Sequence, residues 1–254
     1  MRCAFLDSAP PLAFAHRGGA AHHPENSWPA FEHAVRLGYA YLETDVHATA
    51  DGVLVAFHDR RLDRITDSTG WISRLPHREV ATARIAGTEP IPVVEDLLMA
   101  WPGVRFNLDL KHPAAVPALA RVLRRTAAWD RVCITSFSAR RLHAIRRELD
   151  RPVCMATSPV AAGVLTLGAP PDILAARFAR LSVRCAQVPA GLVTSAFVRR
   201  AHAAELQVHA WTVNDPVRMT ELLDLGVDGI MTDEITTLRD ILSGRGQWPT
   251  DGGA

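Results

Sequence analysis

The chain has little charge imbalance, few cysteines and almost no long uncharged run, and each shortage excludes a class of protein. Its 254 residues carry 28 basic and 27 acidic side chains, a net charge of +1 with the signs interspersed. That balance leaves no footprint for nucleic acid or an acidic membrane surface, so neither is expected as a partner. The four cysteines, Cys3, Cys133, Cys154 and Cys185, show no metal spacing such as CxxC. Three of them lie in apolar, strand-like runs and read as buried free thiols in a reducing cytoplasm, not as a disulfide framework. The opening MRCAFLDSAPPLAFAHR lacks the basic-then-apolar order of a secretory leader. One uncharged run, 152–171, is as long as a membrane span, but four prolines and two glycines interrupt it. It is expected to be strand plus loop. A cytoplasmic protein without stable membrane insertion is the resulting expectation.

What is present is apolar and periodic. Hydrophobic residues make up 48% of the chain, and its length suits one α/β barrel, typically about 250 residues. Short apolar runs at 12–16, 41–46, 53–58, 104–110, 132–137, 152–157, 182–188, 208–213 and 229–232 read as strands. Helical patterns at 30–37, 114–126, 216–226 and 235–242 alternate with them, the signature of parallel βα units. Nine strand candidates compete for eight barrel places. The gap between Val46 and Val53 is too short for a crossover helix, so either a helix is missing there or the two strands form a local hairpin. The stretch 59–103 reads as an excursion on the catalytic face, and 244–254 as a frayed tail.

The chemistry-bearing residues fall at strand ends. Glu43 and Asp45 are two apart on one strand and share a face. Asp109 ends another strand, two residues before Lys111. Three carboxylates converging in a barrel mouth repel one another unless a cation sits between them, and an all-oxygen set suits Mg²⁺, Ca²⁺ or Mn²⁺. An isolated E-x-D on a strand reads more readily as a rim ion pair. The neighbouring histidines and the Asp109/Lys111 pair reverse that balance.

Of the 11 histidines, His16 and His58 each close a strand and precede a charged residue, Arg17 and Asp59. Cutting a phosphodiester needs one group to accept a proton and another to donate one, and imidazoles titrating near pH 6.5 do both. Arg17 offers planar donors to phosphate oxygens and Lys111 adds a point charge. His47 shares the face of Glu43 and Asp45 but is placed beyond the rim. His22, His23, His33, His77, His143 and His202 read as ordinary core or surface residues.

AHRGG, PENS–AF, ETDVHATADG, VAFHD–LDR–T, IPVVEDLL, NLDLK, HAWTVND and GVDGIMTD occur in that order between about residues 13 and 235. In this ordered set the chain resembles the glycerophosphodiester phosphodiesterase family, within the phospholipase C-like phosphodiesterases. The resemblance implies an irregular TIM (β/α)₈ barrel, one domain over 1–254 with its motif-bearing core at about 13–243. It also implies hydrolysis of glycerophosphodiesters to sn-glycerol 3-phosphate and an alcohol through a cyclic phosphate. His16 and His58 take the acid/base roles, Glu43, Asp45 and Asp109 hold one divalent metal ion, and Arg17 and Lys111 hold phosphate. Trp211 matches a tryptophan expected to line the glycerol pocket, with a core aromatic as the equal alternative. The family's third ligand is more often Glu, so Asp109 falls one methylene short. Lipid substrates, as for a lysophospholipase D or a phosphoinositide phospholipase, are the second expectation, and a silent binding module on the same barrel the third. Trp211 offers no legible acyl-chain tunnel, so water-soluble substrates are expected to be preferred.

Overall fold

The computed structural model describes residues 3–167 and 169–249. The chain begins with β1 (Leu12–Ala15), α1 (Trp28–Arg36), β2 (Tyr41–Ala48) and β3 (Leu54–Ala56). It continues with α2 (His77–Val80), β4 (Arg84–Ile85), β5 (Glu89–Pro90), α3 (Val94–Ala100), β6 (Arg105–Leu110) and α4 (Ala115–Thr126). Next come β7 (Val132–Thr135), α5 (Ala139–Glu148), β8 (Cys154–Ala156), α6 (Pro159–Thr166) and α7 (Pro171–Arg180). The last elements are β9 (Val183–Pro189), α8 (Ser195–Ala203), β10 (Gln207–Trp211), α9 (Pro216–Asp224), β11 (Gly229–Thr232) and α10 (Ile235–Gly244). Among the described residues, β1, β11, β10, β9, β8, β7, β6 and β2 pair in parallel in that order, and β2 closes on β1. This is the expected TIM barrel.

The helices form where caps and apolar stripes coincide. Ser27, Ser138, Ser158, Thr194 and Asp215 each accept a hydrogen bond from a first-turn amide of the helix that follows. On α4, Val116, Leu119, Ala120 and Leu123 are buried at helical spacing, with arginines on the outer face. Each buried leucine there contributes about 1.5–3 kcal/mol. Leu119→Ala, with no exposed surface at that position, is the change that would open a cavity in this layer.

The ninth strand is the hairpin alternative: β3 pairs antiparallel with the end of β2, Val46 opposite Ala56 and Ala48 opposite Leu54. β2 is long enough to run past the barrel rim, so β3 lies outside the ring. The excursion builds a small core of its own from Val55, Phe57, Leu62, Ile72, Val80 and Ile85. The excursion is narrower than the expected 59–103, because α3 packs on β3 and α4 as a barrel helix.

Two further expectations are corrected. The second half of 152–171 is helix, not loop: Ser158 caps α6, with Pro159 in the first helical turn. Residues 245–249 are not frayed either, since Trp248 packs edge-on against Tyr39 at 5.1 Å; 250–254 lie outside the described residues. Among the described residues no helix is long and apolar enough to cross a membrane.

Candidate active site

All eight residues singled out from the sequence line one cavity of about 160 Å³ at the C-terminal ends of the strands. His16, Arg17, Glu43, Asp45, His58, Asp109, Lys111 and Trp211 share it with Asn107, Phe137 and Gln187, among others. The register accounts for much of this, because Asp45 faces Asp109 and Glu43 faces Asn107 across the β2–β6 ladder.

His16 does not end β1, as the sequence suggested, but opens the tight turn after it. Arg17 then takes a left-handed conformation (φ 51°), which aims its amide at Glu43 Oε2, 3.1 Å away. Gly19 follows at φ 91°, where a Cβ would lie 2.6 Å from Ile235. Only glycine fits that turn.

His16 Nδ1 is 2.8 Å from Asp233 Oδ1, and its Nε2 is 3.9 Å from Glu43. Burial pushes the imidazole pKa down, but the Asp233 hydrogen bond and the Glu43 charge outweigh it, so the net shift is upward. His58 arrives from the β3 hairpin, with Nδ1 2.7 Å from Asp59 Oδ1. With the carboxylate accepting at Nδ1, each ring leaves Nε2 as the free proton site. His47 is not beyond the rim but buried behind the mouth, where Nε2 donates to the His58 carbonyl at 3.1 Å. Burial pushes its pKa down to about 4 and keeps it neutral.

The carboxylates carry opposite perturbations. Burial, then the Asp45 charge, pushes Glu43 up to about 7. Asp45 is desolvated too, yet Lys111 and Arg17 outweigh the burial and hold it below the usual range. Burial raises Asp109. Lys111 Nζ sits between Asp45 Oδ1, at 2.8 Å, and Asp109 Oδ2. Arg17 Nε is 3.2 Å from Asp45 Oδ2, an ion pair without hydrogen-bond alignment. Glu43, Asp45 and Asp109 do not bring one oxygen each within 4.8 Å of one another. Asp109 Oδ1 is buried without a hydrogen-bond partner. Three buried carboxylates around one cavity, one with an unpartnered oxygen, match the donor chemistry of a hard divalent cation. The Lys111 ammonium is the cation that bridges two of them here.

Several residues of this constellation went unread as site residues in the sequence. Glu25 accepts from Arg17 Nη1 at 3.1 Å and from Arg64 at 2.6 Å, and Arg64 also donates to Asp59. A chain of charges therefore links the His16 turn to the His58 hairpin. Asn26 Nδ2 donates to Asp45 at 3.2 Å. Asp233, just past β11, obeys the same strand-end rule that identified Asp109, and that rule was the signal for it.

Trp211 stands edge-on to Phe137 at 5.5 Å. Behind this pair opens a second, apolar cavity of about 510 Å³, lined by Pro159, Ala162, Gly163, Leu167, Val188 and Leu192. An apolar space of this kind beside Trp211 is not legible in the sequence, because one of its walls comes from α6.

A family model described as the glycerophosphoryl diester phosphodiesterase family matches residues 16–237. A Mycobacterium tuberculosis protein named probable glycerophosphodiester phosphodiesterase 2 is 42% identical over 252 residues, 96% of this chain and 95% of its own. A glycerophosphodiester phosphodiesterase of Agrobacterium tumefaciens is 21% identical and superposes with a TM-score of 0.79, over 92% of this chain and 99% of its own. A phosphodiesterase of Oleispira antarctica, solved in complex with the product sn-glycerol-3-phosphate, is 23% identical with a TM-score of 0.78, over 92% of this chain and 97% of its own. The chain belongs to the glycerophosphoryl diester phosphodiesterase family.

Proposed function

We propose that the protein hydrolyses glycerophosphodiesters to sn-glycerol 3-phosphate and an alcohol, drawing substrate from solution in the cytoplasm. The observation that carries this reading is the meeting of two carboxylate-held imidazoles, three carboxylates and two cationic side chains in one mouth. The name of the 42%-identical relative and the product held by the Oleispira enzyme support it.

In this reading Arg17 and Lys111 hold the non-bridging phosphate oxygens, and Trp211 packs against the glycerol carbons. Glu43, Asp45 and Asp109 would hold one divalent ion, Mg²⁺, Ca²⁺ or Mn²⁺, which would supply Lewis acidity to the phosphate. One imidazole takes the proton of the substrate's 2-hydroxyl as that oxygen attacks phosphorus. The other gives its proton to the leaving alcohol oxygen, and a cyclic phosphate results. The second histidine then deprotonates water for ring opening while the first returns its proton to the 2-oxygen. Holding the internal hydroxyl next to phosphorus gives it a large effective molarity.

Glycerol 3-phosphate release from glycerophosphocholine, glycerophosphoethanolamine and glycerophosphoglycerol tests the reading. His16→Ala and His58→Ala are each expected to cut turnover about 10²–10⁴-fold with circular dichroism unchanged. No release from any of the three with Mg²⁺, Ca²⁺ or Mn²⁺ supplied would overturn it. The apolar cavity behind Trp211 favours a second reading, in which the leaving alcohol carries an acyl chain, as in a lysophospholipid.

A further inference from the structure

Toward the N-terminal ends of the strands the barrel holds a second cluster of reactive side chains that the catalytic mouth does not use. Cys133 on β7 and Cys154 on β8 are register partners. Cys185 on β9 brings its Sγ to 3.9 Å from that of Cys133. The three sulfurs lie within 4.8 Å of one another, and all three residues are buried. Cys3, half-buried in the segment before β1, packs against the same cluster. That segment is pinned to the barrel floor by Phe5, which is buried edge-on to Tyr41 at 5.3 Å and accepts the Tyr41 hydroxyl proton at its carbonyl. Cysteine often packs as a small hydrophobe, but packing alone gives no reason for all four cysteines of the chain, from four separate segments, to gather in one cluster with three of their sulfurs converging.

We propose that Cys3, Cys133, Cys154 and Cys185 form a four-sulfur site for a thiophilic d¹⁰ cation, Zn²⁺, which fastens the N-terminal segment to the barrel floor. A tetrahedral zinc–thiolate site with bonds of about 2.3 Å puts its sulfurs about 3.8 Å apart, close to the 3.9 Å between Cys133 and Cys185. Each ligating cysteine gives its thiol proton to solvent as its sulfur binds. His209 lies tilted against Phe14 of the same cluster at 4.9 Å. Hard ions that suit the carboxylates of the mouth bind thiolate poorly, so the two sites select different metals.

The test uses the full chain, reduced and stripped of metal, with Zn²⁺ alone added back. About one equivalent is expected to bind with a sulfur shell at about 2.3 Å by X-ray absorption, to raise the thermal midpoint and to protect the thiols from a disulfide reagent. Asp45→Ala is expected to keep this sulfur shell, and Cys185→Ala and Cys133→Ala to lose it. A zinc shell of oxygen and nitrogen only, at about 2.0–2.1 Å, would overturn the proposal, as would no binding. A sulfur shell that survives in Cys185→Ala would also overturn it. The wild-type measurement decides the matter even where a variant does not fold.

Discussion

Asp233 Oδ1 lies 2.8 Å from Nδ1 of His16, although 217 residues of sequence separate them. The two ends of the chain meet because β1 and β11 are neighbours in the ring. Asp233 fixes the imidazole tautomer and supplies part of its raised pKa. Asp233→Asn is therefore expected to lower kcat about 10–100-fold. It should also move the His16 limb of the kcat/KM pH profile to lower pH. A slower enzyme with an unmoved profile would reduce Asp233 to a structural role.

Chelation is expected to abolish turnover, with Mg²⁺, Ca²⁺ or Mn²⁺ restoring it, and Asp45→Ala to lose both metal and turnover. Because Glu43 is pushed up to about 7, a metal must displace its proton at lower pH. The metal concentration for half-activation should then rise up to about tenfold per pH unit below that value. Activity in a rigorously metal-free preparation would refute this.

His47, driven down to about 4 by burial, makes stability sensitive to acid. Its folded pKa lies below the unfolded value, so the unfolded chain binds the extra proton between about pH 6.5 and 4. The associated stability is complete above that window and lost as pH falls through it, by about 3 kcal/mol. Urea unfolding of His47→Gln should show this part of the pH slope removed. Equal slopes in variant and wild type would count against it.

Gly163 lines the apolar cavity behind Trp211, and a Cβ there meets nothing within 4 Å. Gly163→Phe should fill the cavity and leave glycerophosphocholine hydrolysis within about twofold, since no contact in the mouth changes. If the cavity takes acyl chains, the same variant lowers kcat/KM for lysophosphatidylcholine below its critical micelle concentration. In the wild type the soluble substrate is expected to have the higher kcat/KM, and a preference for the acylated one would promote the lipid reading.

The barrel and its mouth were legible because strand periodicity and strand-end chemistry are both local. Glu43 and Asp45 share a face by the two-residue repeat alone, and the cavity contains them both. What escaped was set by contacts distant in sequence. Asp233 gains meaning only beside His16, and Glu25 only once Arg17 and Arg64 converge on it. The α6 helix was missed for a different reason. Its uncharged, proline-flanked sequence carries no amphipathic stripe, so the start signal of Ser158 and Pro159 has no helical periodicity behind it.

Lys111, held between Asp45 and Asp109, is the one lysine in the chain. Burial opposes its charge, but the two carboxylates more than compensate and raise its pKa. An amine-selective reagent thus finds a single ε-amine, and that amine is held protonated and unreactive at neutral pH. Acylation at Lys111, read by mass, becomes a direct gauge of whether the carboxylates still grip it. Whatever draws Asp45 and Asp109 away from the ammonium makes the site chemically visible without any substrate turning over.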